Sequence, residues 1–373
     1  MISIYNITWR QIKFLTSNII SGLKVLVASG LSAYDDSWDD RRNRKLPSEI
    51  LYVVVRDKKV SSIFSVPVEI CPAQGNKVFG GSWNGRCFVG VGRDVYEFRE
   101  KEGHWKEMKS TKKRREYSSS CNVDQKGIIV VGGWEGSGRS SAEVFNCDNK
   151  LTTSSITSYG PKFLSTFKLP PSLSKRQDNV KCSTWKKCSS RIPVSLNDGT
   201  PAQIWGHTIT YVGDNRMMLV GGRALSQRPY RRETTKCVFG GELTKDNLDI
   251  KWEILKPLST DRFGHFAFKL KNYLYVAGGA EYGVKDILCC EMYDMDKRFW
   301  SISKHSLPYH LYKASVIVDN EENFALIIGG LKRTAEASSK VIVFTEENGF
   351  AEVENFNLYR KRYGHVSLPM SFE

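Results

Sequence analysis

Tyr273-Leu274-Tyr275-Val276-Ala277-Gly278-Gly279 is an apolar run closed by a glycine doublet, and the chain repeats the pattern at Ile128 to Gly133, Met217 to Gly222 and Phe324 to Gly330. The second glycines stand at 133, 222, 279 and 330, giving steps of 89, 57 and 51 residues. The shorter steps match the roughly 50-residue period of a four-stranded blade repeated around an axis. Each run reads as a buried strand. Its glycines end the strand where a positive φ or a close backbone approach excludes a Cβ.

Outward from these doublets the order of features repeats. After Gly278-Gly279 come Ile287 to Asp294 and then Trp300; after Gly92 come Val95 to Phe98 and then Trp105. Phe98 to Trp105 and Tyr293 to Trp300 are both seven residues apart, which predicts one aromatic on a third strand and another on a fourth. Ahead of the runs, Arg262-Phe263-Gly264-His265 and Arg362-Tyr363-Gly364-His365 match, and Trp205-Gly206-His207 is a shorter copy. In this order the motifs resemble the kelch family over about residues 22 to 369. Departures are Val89-Gly90-Val91-Gly92, Ala28-Ser29-Gly30 and Phe350 in place of a tryptophan.

Second strands ending at Gly30, Gly92, Gly133, Gly222, Gly279 and Gly330 predict an all-β, six-bladed kelch-type β-propeller with four antiparallel strands per blade. The strand around Tyr363 to Leu368 has no successor, and Lys24 to Ala28 has no first strand before it. The two are expected to share a blade, closing the ring and removing open edges. Residues 1–20 are then an N-terminal extension or an extra edge strand, and 21–373 the propeller. The 89-residue step reads as an inserted loop at about 148–203, because Ser, Thr, Lys and Pro clusters fill it; within it Lys162 to Arg191 is a candidate contact element. Gly80-Gly81 reads as part of a first strand or a turn.

Fifty-five basic and 40 acidic residues give a net charge of +15, favouring acidic partners through attraction that salt weakens. No aromatic RNA-binding motif, basic zipper or paired zinc-ligand pattern accompanies the charge, so nucleic acid is not the expected partner. No apolar stretch approaches the roughly 20 residues of a membrane span, so no membrane insertion is expected. The first twenty residues lack a compact signal-peptide core. Nine cysteines, with Cys121, Cys237, Cys289 and Cys290 in predicted strands, point to a reducing, cytoplasmic setting. A disulfide among Cys147, Cys182 and Cys188 would suit the alternative, a secreted protein.

In an up-down-up-down blade, loops leaving second and fourth strands emerge on one face. After second strands these loops carry Arg139, then Arg223, Arg228, Tyr230, Arg231 and Arg232, then Lys332 and Arg333. After fourth strands they carry Lys112, Arg114 and Arg115, then Arg262, then Arg362. Converging arginines would make an anion-accepting mouth, since the guanidinium fork takes carboxylates in a two-point geometry. Tyr34, Trp38 and Trp134 fall in the same loops, and the acidic run Asp35, Asp36, Asp39 and Asp40 is a possible counter-charge. The opposite loops, with Asp214, Asp249, Asp294, Asp296, Asp319, Glu321, Glu322, Glu346 and Glu347 among others, are mostly acidic.

His207, His265 and His365 recur at one position, which favours packing or hydrogen bonding over catalysis. His104, His305 and His310 are scattered, without metal-ligand spacing, and there is no nucleophile elbow or phosphate-binding loop. No metal or cofactor is expected. The resemblance to kelch implies scaffold or adaptor work, with sugar chemistry or copper oxidation in some relatives. The expected function is a non-catalytic protein–protein interaction module whose basic, arginine-rich face takes an acidic peptide or protein surface. The alternatives are an extracellular lectin-like or sulfated-glycan-binding propeller and a carbohydrate-active enzyme.

Overall fold

The computed structural model describes residues 22–32, 46–56, 59–75, 77–123, 126–134, 140–146, 184–227, 230–244, 249–281 and 287–371. Among them there is no helix. The strands are, in chain order, β1 (Gly22–Ala28), β2 (Pro47–Arg56), β3 (Lys59–Ile70), β4 (Val78–Trp83), β5 (Arg86–Val91), β6 (Asp94–Arg99), β7 (His104–Met108), β8 (Ser119–Val123), β9 (Gly127–Val131), β10 (Ala142–Asn146), β11 (Thr184–Lys187), β12 (Gln203–Trp205), β13 (Thr208–Gly213), β14 (Arg216–Val220), β15 (Arg223–Gln227), β16 (Tyr230–Thr234), β17 (Val238–Leu243) and β18 (Ile250–Leu255). They continue with β19 (Phe266–Leu270), β20 (Tyr273–Ala277), β21 (Cys289–Asp294), β22 (Phe299–Ser306), β23 (Ser315–Asp319), β24 (Phe324–Ile328), β25 (Val341–Thr345), β26 (Gly349–Glu352) and β27 (Val366–Met370).

Six antiparallel sheets have four strands each: sheet I (β27-β1-β2-β3), II (β4 to β7), III (β8 to β11), IV (β13-β14-β17-β18), V (β19 to β22) and VI (β23 to β26). This is a propeller-like arrangement. In sheet I the C-terminal strand lies along the N-terminal one, with Lys24 opposite Met370 and Ala28 opposite Val366. A seventh sheet, β12-β15-β16, has three strands.

Neighbouring sheets share apolar clusters, and strand periodicity explains how. Successive side chains point to opposite faces, so on β1 Val25 and Val27 pack with Leu326 and Ile328 of sheet VI, whereas Leu26 and Ala28 pack with Val78 and Val89 of sheet II. Second strands are covered on both faces, which is why they read as unbroken apolar runs: β9 and β24 are buried throughout. First strands such as β8 and β23 turn one face to a cavity and have a mixed composition.

Third and fourth strands meet through aromatic pairs. Phe98 stands opposite Trp105 with ring centres 5.1 Å apart, and Tyr293 opposite Trp300 at 5.0 Å. Tyr52 with Phe64, Phe145 with Trp185 and Phe344 with Phe350 repeat the contact in sheets I, III and VI. Such pairs add about 0.5–1.5 kcal/mol beyond the area they bury. In sheet IV, Trp252 lies opposite Gly241, whose missing Cβ leaves room for the indole.

The inserted stretch at 148–203 needs correction in its described part. Thr184–Lys187 is the fourth strand of sheet III, and Cys188, Ile192, Val194, Leu196 and Ala202 are buried in the core between sheets III and IV. Trp185 is the anchoring aromatic, disguised in the sequence by Lys186, Lys187 and a long separation from Phe145. The candidate contact element from Lys162 to Arg191 lies outside the described residues up to 183, and Trp185 and Cys188 within it are core. Arg223–Gln227 and Tyr230–Thr234 are likewise a pair of antiparallel strands rather than loop. Cys237 precedes β17 instead of lying in a strand. Seven described cysteines, Cys188 included, are free thiols; Cys147 and Cys182 lie outside the described residues, as do residues 1–21, Tyr34, Trp38 and the acidic run from Asp35.

Candidate functional site

The first strands of all six four-stranded sheets line one cavity of about 860 Å³. At one end a belt of backbone hydrogen bonds joins five sheets. Gly206 N–H donates to Tyr117 O at 3.0 Å, Gly264 to Gly206 at 2.7 Å, Lys313 to Gly264 at 2.7 Å and Gly364 to Lys313 at 2.8 Å. Each belt residue stands two positions before a first strand and has a left-handed backbone, with φ between 51° and 63°. Glycine adopts this conformation freely, and Gly206, Gly264 and Gly364 occupy three of the five positions. Tyr117 and Lys313 occupy the other two despite the steric cost to a residue with a Cβ.

The recurring histidines follow the belt. His265 Nε2 lies 3.0 Å from Thr208 Oγ1, and His365 Nε2 lies 2.7 Å from Ser315 Oγ. Each imidazole packs on a glycine of the preceding sheet: a Cβ on Gly221 would come within 2.8 Å of His265 Cε1, and Gly132 with His207 and Gly329 with His365 repeat the fit. The glycine doublets and the Gly-His motif are two halves of one contact. Burial holds His207 down at about 4, and burial followed by the neighbouring Arg262 or Arg362 charge holds His265 or His365 well below the ordinary value. All three are neutral packing groups at pH 7.

Around the belt runs a chain of aromatic rings that sequence reading missed as a group. Tyr117 lies 5.4 Å from Trp205, Trp205 lies 6.0 Å from Phe263, and Phe263 lies 5.5 Å from Tyr312. Cations sit on their faces: the Arg223 guanidinium is 4.3 Å from the Phe263 ring centre and 5.4 Å from Trp205, and Lys313 Nζ is 4.6 Å from Tyr117. The residue preceding the left-handed position was the available signal at four of the five, since Trp205, Phe263, Tyr312 and Tyr363 hold it, while at the fifth the left-handed residue, Tyr117, is itself the aromatic.

Three of the expected contact residues are corrected. Arg115, Arg262 and Arg362 are fully buried and cannot touch a partner. Each pairs at 2.8 Å with a glutamate on the third strand of its own sheet, Glu143, Glu291 and Glu49 respectively. Each guanidinium also donates to backbone carbonyls, as Arg115 does to Gly132 O and Ser141 O. They clamp the lead-in to a first strand against the middle of the sheet.

The other expected residues divide. Tyr230, Arg231 and Arg232 lie on β16 and are exposed, Tyr230 by 68%. Arg223 and Arg232 line one groove together with Glu233, Asp261 and Glu281. Arg114 is exposed but its Nε donates to Glu116 at 2.6 Å. Lys112 is exposed, with its backbone N–H held by Glu143, and Lys332 lies over the Tyr309 ring at 4.9 Å. Arg333 is exposed in the neighbouring turn. Arg139 and Arg228 lie outside the described residues.

Charge is less segregated than the loop count implies. Asp198 pairs with Arg231 at 2.8 Å, and Glu336 pairs with Lys361. On the acidic side, Asp294 and Asp319 accept backbone N–H groups within their own turns, which is a local structural role. Among the described residues no cluster of three or more His, Cys, Asp or Glu could hold a metal ion, and no helix is long and apolar enough to cross a membrane. No known family's model matches the chain, and a search of curated proteins finds no matching relative.

Proposed function

We propose that the chain is a six-bladed, kelch-type β-propeller closed by β27, acting as a non-catalytic interaction module for an acidic peptide or protein surface. The closure is supported by the sharing of apolar clusters, which pairs I with II and continues in order until VI pairs with I. The binding role is carried by one observation: Tyr230, exposed by 68%, stands beside exposed Arg231 and Arg232 on β16, the edge strand of the three-stranded sheet. Tyrosine and arginine, with tryptophan, are enriched where protein interfaces concentrate their energy. Arg223, packed on aromatic faces on β15, extends this surface with a pre-oriented cation.

The test uses a fluorescein-labelled peptide rich in Asp and Glu and reads anisotropy at low and moderate salt. Binding is expected to weaken as salt rises, and an Arg223→Ala, Arg231→Ala, Arg232→Ala variant is expected to bind about tenfold more weakly, equivalent to about 1.4 kcal/mol. Equal binding by variant and parent would remove this strand pair from the reading.

A further inference from the structure

We propose that Lys313 is a reactive amine that captures small carbonyl compounds as an imine at the mouth of the cavity, with Lys77 attracting a carboxylate on the same molecule. The class of ligand is therefore a small oxo acid. This inference is independent of the surface on β15 and β16.

The placement is unusual in two respects that coincide. Lys313 and Tyr117 are the two belt residues that hold a left-handed backbone without being glycine, and they meet, with Lys313 Nζ 4.6 Å from the Tyr117 ring centre. Strained backbone kept at two positions whose side chains converge on a cavity mouth points to a use for those side chains. Lys313 also lies 5.3 Å from the Tyr312 ring, and both Tyr117 and Lys313 line the cavity.

The charges distribute unequally between the two lysines. Lys77 Nζ lies over the same Tyr117 ring at 5.4 Å and has the Glu116 carboxylate at 3.4 Å as its counter-charge. Among the described residues no carboxylate forms an ion pair with Lys313. Burial, and then the Lys77 charge, push the Lys313 ammonium down to about 7, against the modest pull of the two ring faces. A lysine desolvated beside another cation is the arrangement that makes an amine nucleophilic near neutral pH.

The step balances without any co-reactant. The Lys313 nitrogen lone pair forms a bond to the carbonyl carbon, and the carbonyl oxygen takes a proton to give a carbinolamine. Loss of that oxygen as one water leaves the C=N bond, so amine and carbonyl compound become imine and water, reversibly.

Limiting glyoxylate with cyanoborohydride at pH 7, followed by peptide mapping, tests the assignment on the unaltered protein. Lys313 is expected to be alkylated at least tenfold faster than exposed lysines such as Lys251 and Lys304. Labelling of Lys313 at or below their rate overturns the proposal. Repeating the reaction with acetaldehyde separates the role of Lys77: Lys77→Met is expected to slow glyoxylate labelling of Lys313 more than acetaldehyde labelling, and an equal effect on both removes the carboxylate contact. Lys313→Arg keeps the charge and stem but forms no imine, so persistent imine formation in that variant also counts against the site. Peptide anisotropy with the same variant is expected to be unchanged.

Discussion

Arg262 and Arg232 are the same residue type, read as members of one basic face, and the fold uses them in opposite ways. Arg262 is buried between Glu291 and the Gly278 carbonyl, whereas Arg232 stands in solvent on β16. The difference lies in what the third strand offers. Glu291, Glu143 and Glu49 each occupy a buried position on a third strand, and each draws the arginine that precedes the first strand of its own sheet inward. An arginine of this rim is drawn inside where it leads into the first strand of a sheet that carries such a glutamate; Arg114, one residue earlier than Arg115, stays exposed.

The largest effect expected from this contrast comes from removing one member of a buried pair. Glu291→Ala leaves the Arg262 guanidinium charged and dry, and the loss expected in urea unfolding is about 3–5 kcal/mol. The paired change Arg262→Met with Glu291→Leu is expected to recover most of it, because apolar groups of similar volume need no counter-charge. A single substitution costing under about 1 kcal/mol would show that water reaches the pair, and the contrast with Arg232 would lose its basis.

Much of this arrangement is legible in the sequence, for reasons that differ by element. Second strands such as Leu274 to Ala277 are buried on both faces, so they announce themselves as apolar runs ended by glycine. The aromatic pairs are legible because a hairpin of fixed length sets Phe98 opposite Trp105 and Tyr293 opposite Trp300. Thr184–Lys187 was hidden because an edge strand needs only one buried anchor, here Trp185, and a long insertion removed its spacing from Phe145. The site was harder still. The Arg-Glu pairs and the contact of Tyr117 with Lys313 join residues far apart in the chain, and a left-handed backbone at a lysine leaves no mark in composition.

A smaller effect, spread over pH, sharpens the comparison through the histidines that share the buried layer. His207, His265 and His365 all have folded-state values below the ordinary 6.5, so the unfolded chain takes up protons first as the solution is acidified. Stability is then whole above about pH 6.5 and falls with pH, for His207 down to about 4. Each group contributes a slope of about 1.4 kcal/mol per pH unit in its window. Melting temperatures between pH 7 and 4.5 are expected to fall, and His207→Gln is expected to flatten the decline. A parent protein with no decline would mean that these imidazoles are solvated, against their burial beside the belt.

The smallest expected effect belongs to the exposed member of the comparison. Arg231 pairs with Asp198 at 2.8 Å, but both side chains are roughly half exposed, and an ion pair in that setting contributes about 0–1 kcal/mol. Arg232 has its charge in solvent, with no buried carboxylate left behind by its removal. Arg231→Ala and Arg232→Ala are thus expected to shift unfolding free energy by no more than about 0.5 kcal/mol each, while peptide anisotropy changes. A large stability loss from Arg232→Ala would mean that β16 supports the sheets beneath it, since no other consequence of losing a solvated guanidinium reaches the core.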